Sequence, residues 1–429
     1  MIREFWVENF FSIRDRQVLN FESKSAPDAF SSSQVDERTR INKLAIIYGA
    51  NASGKSNLLI ALQEIFRLLV FSKGDIHQKI VGYRPFALLA DRPTVMYVSF
   101  YAGNTRYDYQ VSYDAERILN EILTYYPKGS KALFYQRDFV SDQSAANIKF
   151  GGSLGVDKET ERTFITNTLN NHTVLSTYGK IALKENVAKI SELYSWIMKT
   201  IHEVNGDQVE SRTFAEHLKK VLQDPKKKQF YLQMVRKADF NIFDMHYSES
   251  PRSLDDETRN KIRTDPSISE NYKRFLLEGP VRDIIFTNRA GGRSFDLMLR
   301  DQSAGTLAFL DRIDFLYDTI NGDHTYFLDE PESDLHYDLF LFYLNAFLYN
   351  STNAQLIFAS HLTTLLAEDL INEERDLVFF VEKDPGTAAS VVMRGDKFGL
   401  HKNQSLYNAY KLGKLGAKPE LGSPFILAE

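Results

Sequence analysis

Gly49-Ala50-Asn51-Ala52-Ser53-Gly54-Lys55-Ser56 lies between a short apolar run, Leu44-Ala45-Ile46-Ile47-Tyr48, and residues 57–69, whose apolar side chains recur at helical spacing. The order is strand, glycine loop, helix. Gly49 and Gly54 permit backbone conformations that side chains forbid, so successive N–H groups can turn inward and line a nest for phosphate oxygens at the positive end of the helix. Lys55 then reaches the β- and γ-phosphates, and the Ser56 hydroxyl is placed to ligate Mg²⁺. A glycine-rich turn can also simply lead into an ordinary helix. The flanking strand and helix select the phosphate-binding reading.

A second apolar run, Thr325-Tyr-Phe-Leu, ends in Asp329-Glu330. It delivers two acids at the carboxyl end of a strand, where ligands of open α/β sheets collect. Adjacency divides the work: Asp329 holds the Mg²⁺ shell, and Glu330 orients or deprotonates an attacking water. Taken alone, such a pair is an ordinary solvated turn. Two further segments have bland readings of their own. Ser303-Ala304-Gly305-Thr306 is a common helix-capping turn. His361, which follows the apolar strand Gln355-Leu-Ile-Phe358, is by itself a hydrogen-bonded structural histidine.

Roughly 270 positions separate Lys55 from Asp329, far more than the one or two αβ excursions of a compact nucleotide domain. Something is inserted between the halves. With that spacing, the residues resemble the ABC-type ATPases of the SMC and RecF-like branch. Gly49-Ala50-Asn51-Ala52-Ser53-Gly54-Lys55-Ser56-Asn57 is similar to their phosphate loop, and Asp301-Gln-Ser303-Ala-Gly305-Thr306 to their signature motif. Asp329-Glu-Pro-Glu-Ser-Asp334-Leu-His336 is similar to their Walker B strand running into the D-loop, and Ala359-Ser-His361 to their switch histidine. The chain also resembles the stand-alone ATPases of bacterial phage-defence and abortive-infection systems of the RloA and AbiL types, through residues 1–13 and residues 406–419. Phe11 departs from the pattern, standing where such proteins often carry a basic residue; Arg14 is a substitute.

The resemblance implies an α/β fold: an ABC-type head with a mixed, phosphate-loop sheet, an antiparallel β subdomain and an inserted helical lobe. It also implies a mechanism, in which the signature motif of one subunit closes over ATP held by the other. A chain with one set of motifs would then hydrolyse ATP with Mg²⁺ only as a dimer, most simply a homodimer. Ser303, Gly305 and Thr306 would act on the neighbour's nucleotide, Asp334 and His336 would cross the interface, and His361 would sense the γ-phosphate.

The sequence-based division is 1–150 for the first half of the head, 151–285 for the inserted lobe and 286–429 for the second half. Residues 94–101, 106–112 and 131–136 read as an antiparallel meander, residues 187–199 and 214–222 as helices, and residues 249–263 as an exposed loop. No heptad run persists long enough for the arms of SMC proteins.

The chain has no cysteine, which excludes thiol catalysis, thiol metal sites and a disulfide framework. No apolar stretch approaches a membrane span, and residues 1–5 read as a strand rather than a signal peptide, so a cytoplasmic protein is expected. A net charge of -5 argues against wholesale coating of nucleic acid, leaving only a local basic groove for such a role. The densest basic cluster is Lys219, Lys220 and Lys226 to Lys228, beside Phe230 and Tyr231; a solvated helix face explains it better. Leu377-Val-Phe-Phe-Val-Glu382-Lys-Asp384 resembles the opening strand of a metal-dependent nuclease domain, but it more simply completes the head's sheet.

The expected function is therefore an ATPase that dimerises around ATP and controls a separately encoded toxin or nuclease in anti-phage defence. The alternative is a repair or recombination ATPase that clamps DNA.

Overall fold

Leu44–Gly49 is buried at every position, as a strand with parallel neighbours and cover on both faces must be. The computed structural model describes residues 1–418 except 27–28, 72–74, 76, 141–145, 185–186, 204–210, 252–253, 280 and 402. Its packing gives two compact units. The first comprises Met1–Gly206, Asp318–Glu332 and Leu344–Glu429, and the second Asp207–Tyr317 with Ser333–Tyr343.

The first unit holds the strand Leu44–Gly49 within a six-stranded mixed sheet. From edge to edge the strands are Ile201–Glu203, Thr325–Asp329, Gln355–Ser360, Leu44–Gly49, Val378–Lys383 and Ser390–Arg394. All neighbours are parallel except the last pair, an antiparallel hairpin. The segment bearing Glu382 and Asp384 thus completes this sheet. The register sets Asp329 beside Ala359 and Ser360 beside Tyr48, so three carboxyl ends finish level with one another.

The second sheet of this unit is the antiparallel meander. Its seven strands run in the order Asn147–Phe150, Ala132–Asp138, Ile118–Tyr125, Thr105–Tyr113, Thr94–Ala102, Ile2–Glu8 and Gln17–Asn20. The helix Lys55–Val70 buries Leu58, Leu62, Ile65, Phe66 and Leu69 in a core that contains residues of both sheets, among them Val98, Phe100, Ile357 and Phe379. Each such side chain contributes about 1.5–3 kcal/mol of burial. The helix C-terminus is closed from outside: the Thr173 hydroxyl donates to the carbonyls of Leu68 and Leu69 at 2.8 and 3.2 Å.

Thr173 is itself held by a buried ion pair in the meander. Arg137 and Glu121, 1% and 0% exposed, face each other at 3.8 Å. Arg137 donates to the carbonyls of Leu169, Asn170 and His172, while Glu121 accepts from the Val174 N–H and the Tyr109 and Tyr135 hydroxyls. Burial pushes the Glu121 carboxyl up, against the opposing pull of Arg137.

Lys43, buried just before the first sheet strand, donates to the carbonyls of Leu348 and Ser351 at the end of the helix Tyr337–Asn350. Burial, with a smaller push from the Arg40 charge, lowers its pKa from 10.5 to about 8. Above pH 8 the unfolded chain therefore keeps a Lys43 proton that the folded chain has released. Stability attributable to Lys43 accordingly rises with pH between 8 and 10.5, by up to about 1.4 kcal/mol per unit. Urea unfolding of wild type and Lys43→Met at pH 7.5, 8.5 and 9.5 (working values near the titration) should show this rise in wild type alone. Parallel pH profiles would exclude it.

The second unit contains the helices Ser211–Gln223, Pro225–Lys237, Asp256–Thr264 and Glu270–Glu278 and an antiparallel sheet of Ile242–Ser250, Val281–Ala290 and Arg293–Met298. Gly291 and Gly292, both at positive φ, make the two-residue turn of its hairpin. Helix Asp256–Thr264 occupies part of the stretch read as a loop. Asp255 caps it through the Thr258 N–H, and none of its residues is buried, which is why no apolar period announces it. The helices Lys158–Asn167, Val174–Tyr178 and Ala188–Thr200, grouped with the inserted lobe in the sequence-based division, pack in the first unit.

Candidate functional site

The phosphate loop leaves its strand at Gly49 and enters its helix at Gly54, with Ala52 at φ 62 and Gly54 at φ 107. A Cβ at Gly49 would strike the Val381 carbonyl and the Ser53 hydroxyl; one at Gly54 would strike the hydroxyls of Ser390 and Ser12. Both positions therefore require glycine for space, and Gly54 for backbone conformation too. Behind the loop, the Ser12 and Ser390 hydroxyls are 2.7 Å apart, the Ser390 hydroxyl donates to the Ser53 carbonyl, and the Asn57 amide donates to Ser12. Asn57, placed with the nucleotide ligands by resemblance, thus braces the loop from behind.

Lys55 is buried, and its ammonium donates to the carbonyls of Gly49 and Ala50 at 2.9 and 3.2 Å. Burial lowers its pKa, and the carboxylates of Asp329, Glu330 and Glu332 partly restore it. The ammonium and the acidic turn therefore share one electrostatic environment. The Ser53 hydroxyl is buried without a hydrogen-bond partner among the described residues, while Ser56 is exposed. An orphaned hydroxyl, a loop too tight for a Cβ and a buried ammonium suit a phosphate group, and an exposed hydroxyl with the Asp329 carboxylate suits Mg²⁺.

Asp329 and Glu330 are exposed at the end of the buried strand Thr325–Asp329. Glu330 adopts φ 49, the left-handed region that non-glycine residues avoid. Such strain, about 1–3 kcal/mol, persists only where surroundings impose it. Here the Glu330 N–H donates to the Ala359 carbonyl at 3.0 Å, and its carboxylate lies 3.0 Å from the His361 Nε2. Both contacts follow from the level strand ends. The acidic turn is also tied to the histidine segment through Glu332, which accepts from the Ser360 hydroxyl and the His361 N–H.

Ser303, Gly305, Thr306 and Asp334 belong to the second unit. Ser303 caps the helix Ala304–Asn321, accepting from the Thr306 N–H at 3.1 Å and bonding the Thr306 hydroxyl at 2.8 Å. A Cβ on Gly305 would come within 3.1 Å of the Asp334 carbonyl, so the signature turn and the D-loop touch. Asp334 has φ 65, and the His336 ring lies 3.4 Å from the exposed Asp338 carboxylate.

Arg14 turns to Asp15 at 3.0 Å. Phe11 sits at φ 48 with its N–H on the Arg84 carbonyl. In the basic cluster, Lys227 pairs with Asp314 and Lys228 with Asp244, and Tyr231 is fully buried. Asp384 accepts from the Thr387 N–H and hydroxyl, closing its own turn. Among the described residues, no group of three or more His, Cys, Asp or Glu could hold a metal ion, and no helix is long and apolar enough to cross a membrane.

The sequence reading missed Glu332 and the Ser12–Ser390 brace. Glu332 had a signal, a third acid two positions beyond Glu330; Ser12 and Ser390 had none, because nothing local marks a contact between opposite ends of a chain.

The family model described as "AAA domain, putative AbiEii toxin, Type IV TA system" matches residues 44–367, more than half of the chain. The chain belongs to this AAA domain family. The matched range contains the phosphate loop, the acidic pair and His361, and by family this is an ATPase-type domain. Solved structures similar to this AAA domain include the SMC head domain from Thermotoga maritima, at 15% identity, 92% coverage of this chain, 98% of that chain and a TM-score of 0.39. Another is the SmcHead bound to the C-winged helix domain of ScpA, at 12% identity, 92% and 99% coverage and a TM-score of 0.42. No curated protein matches the sequence.

Proposed function

We propose that this AAA domain binds ATP with Mg²⁺, closes on a second copy of itself around the nucleotide, and hydrolyses it. The observation that carries this reading is that Glu330 and His361 meet at the ends of adjacent parallel strands, with Lys55, which opens the helix after the next strand, in the field of Glu330. Gly49 to Ser56 would cradle the phosphates, with Ser56 and Asp329 holding the metal. When bound, Mg²⁺ supplies charge neutralisation at the phosphate oxygens. Glu330 accepts the proton of the attacking water, and His361, whose Nε2 lies 3.0 Å from it, fixes the carboxylate's direction. Ser303 and Gly305 would serve the neighbouring copy's nucleotide from the end of their helix.

At the level of the cell, the reading is control of a separately encoded toxin or nuclease in anti-phage defence. The family description names a putative toxin of a Type IV toxin–antitoxin system, which supports a toxin–antitoxin setting. Of the five lysines in the basic cluster, Lys227 and Lys228 are engaged by carboxylates within their own unit, so those two lend no support to the DNA clamp.

Complementation tests the shared site. Lys55→Ala and Ser303→Arg chains should each be inactive, whereas their mixture should regain part of the wild-type ATPase activity, because one composite site of each heterodimer is whole. Proven heterodimers without recovered hydrolysis would remove the trans role of Ser303.

A further inference from the structure

Glu332 is the one acid of the Asp329–Glu332 turn for which the reaction above has no task. Its Oε1 accepts the Ser360 hydroxyl at 2.6 Å and the His361 N–H at 2.9 Å, and the Ser360 oxygen accepts in turn from the Leu362 N–H at 2.9 Å. One carboxylate oxygen therefore organises three successive residues where the chain leaves its central strand. Two positions earlier, Glu330 meets the His361 ring at 3.0 Å. The turn thus holds the histidine twice, by its backbone through Glu332 and by its ring through Glu330. Pro331, with its fixed φ, keeps the two acids in register.

Both bonds of this brace fall on one carboxylate oxygen. Glu332 Oε2 is buried without a hydrogen-bond partner among the described residues. An unmatched buried acceptor carries a desolvation penalty, which solvent or ligand in the site would relieve.

We propose that Glu332 is a positioning residue: its carboxylate sets the backbone at Ser360 and His361, and thereby holds the His361 imidazole against Glu330. This inference rests on the ATPase reading. Removing a partner that orients a reacting group typically lowers activity about 10–100-fold. Glu332→Ala should lower kcat by about that factor while leaving nucleotide Kd within about threefold, because among the described residues its hydrogen bonds go to Ser360 and His361 and its effect on Lys55 is one carboxylate's share of a field that Asp329 and Glu330 also supply. Glu332→Gln should restore most of kcat, since an amide oxygen accepts the same two hydrogen bonds.

The experiment is a double-mutant cycle with His361→Ala, with Kd and kcat measured for each variant and folding checked by thermal melting. Glu332→Ala should add less than about threefold in the His361→Ala background. Full additivity, a Gln variant as slow as the Ala variant, or loss of nucleotide binding would each overturn the proposal. Wild-type protein that hydrolyses no ATP would instead overturn the ATPase reading. Imidazole ¹⁵N spectra of the nucleotide-free protein then decide the positioning claim: His361 should shift in Glu332→Ala and not in Glu332→Gln, and an unmoved His361 in both refutes it. Should Glu332→Ala fail to fold, the Gln variant alone decides, because loss of kcat or a shifted His361 signal there contradicts an oxygen-acceptor role.

Discussion

Lys55→Ala should bind no measurable nucleotide, while Glu330→Gln should bind as wild type does and hydrolyse ATP at least ~100-fold more slowly. The two residues fail differently for a physical reason. Lys55 is a buried ammonium whose partners among the described residues are the carbonyls of Gly49 and Ala50 and the field of three carboxylates, so its charge is available to phosphate. Truncation leaves those carbonyls facing the phosphates with no cation between them. Glu330 is exposed and reaches Lys55 through its field alone; as glutamine it keeps an oxygen for the His361 contact at 3.0 Å and loses its charge and its ability to take a proton. Equilibrium binding of a fluorescent ATP analogue and phosphate release separate the two effects. Equal loss of binding in both variants would sink the division of roles.

The second large effect is on stability. Arg137→Met should destabilise the protein by about 3–5 kcal/mol, because it leaves the buried Glu121 carboxylate without its countercharge and three loop carbonyls without their donor. Pairing it with Glu121→Leu should recover much of the loss, since removing both charges avoids the unpaired one. Urea unfolding midpoints of the single and double variants check this; a double variant that loses the sum of the singles would mean that the pair is not coupled.

The phosphate loop was legible in the sequence because its chemistry is local: Gly49, Gly54, Lys55 and Ser56 must stand at fixed offsets between a strand and a helix. The acidic strand and His361 were legible for the same reason, each being an apolar run with a polar end. The parallel neighbours of Leu44–Gly49 were not, since pairing across hundreds of positions leaves no periodic trace. The sheet of the second unit did leave one. Ile284, Phe286 and Asn288 alternate inward, but the helices on either side dominated the pattern. Ser303 illustrates the opposite difficulty. Its capping bonds to Thr306 satisfy the bland reading, and the role proposed for it on another chain's nucleotide would add no further residue to the pattern.

The brace behind the phosphate loop bears on how the protein is made. Ser12 and Ser390 meet there, and the sheet carrying the loop draws strands from residues 44–49, 201–203, 325–329, 355–360, 378–383 and 390–394. Such non-local pairing is slow to assemble. During synthesis the glycine loop leaves the ribosome well before its neighbouring strands, its acidic partners and its brace, and the set is complete only when some 340 further residues have emerged. Nucleotide affinity is therefore acquired late and nearly all at once, so a nascent or prematurely ended chain exposes the motif without the ability to use it.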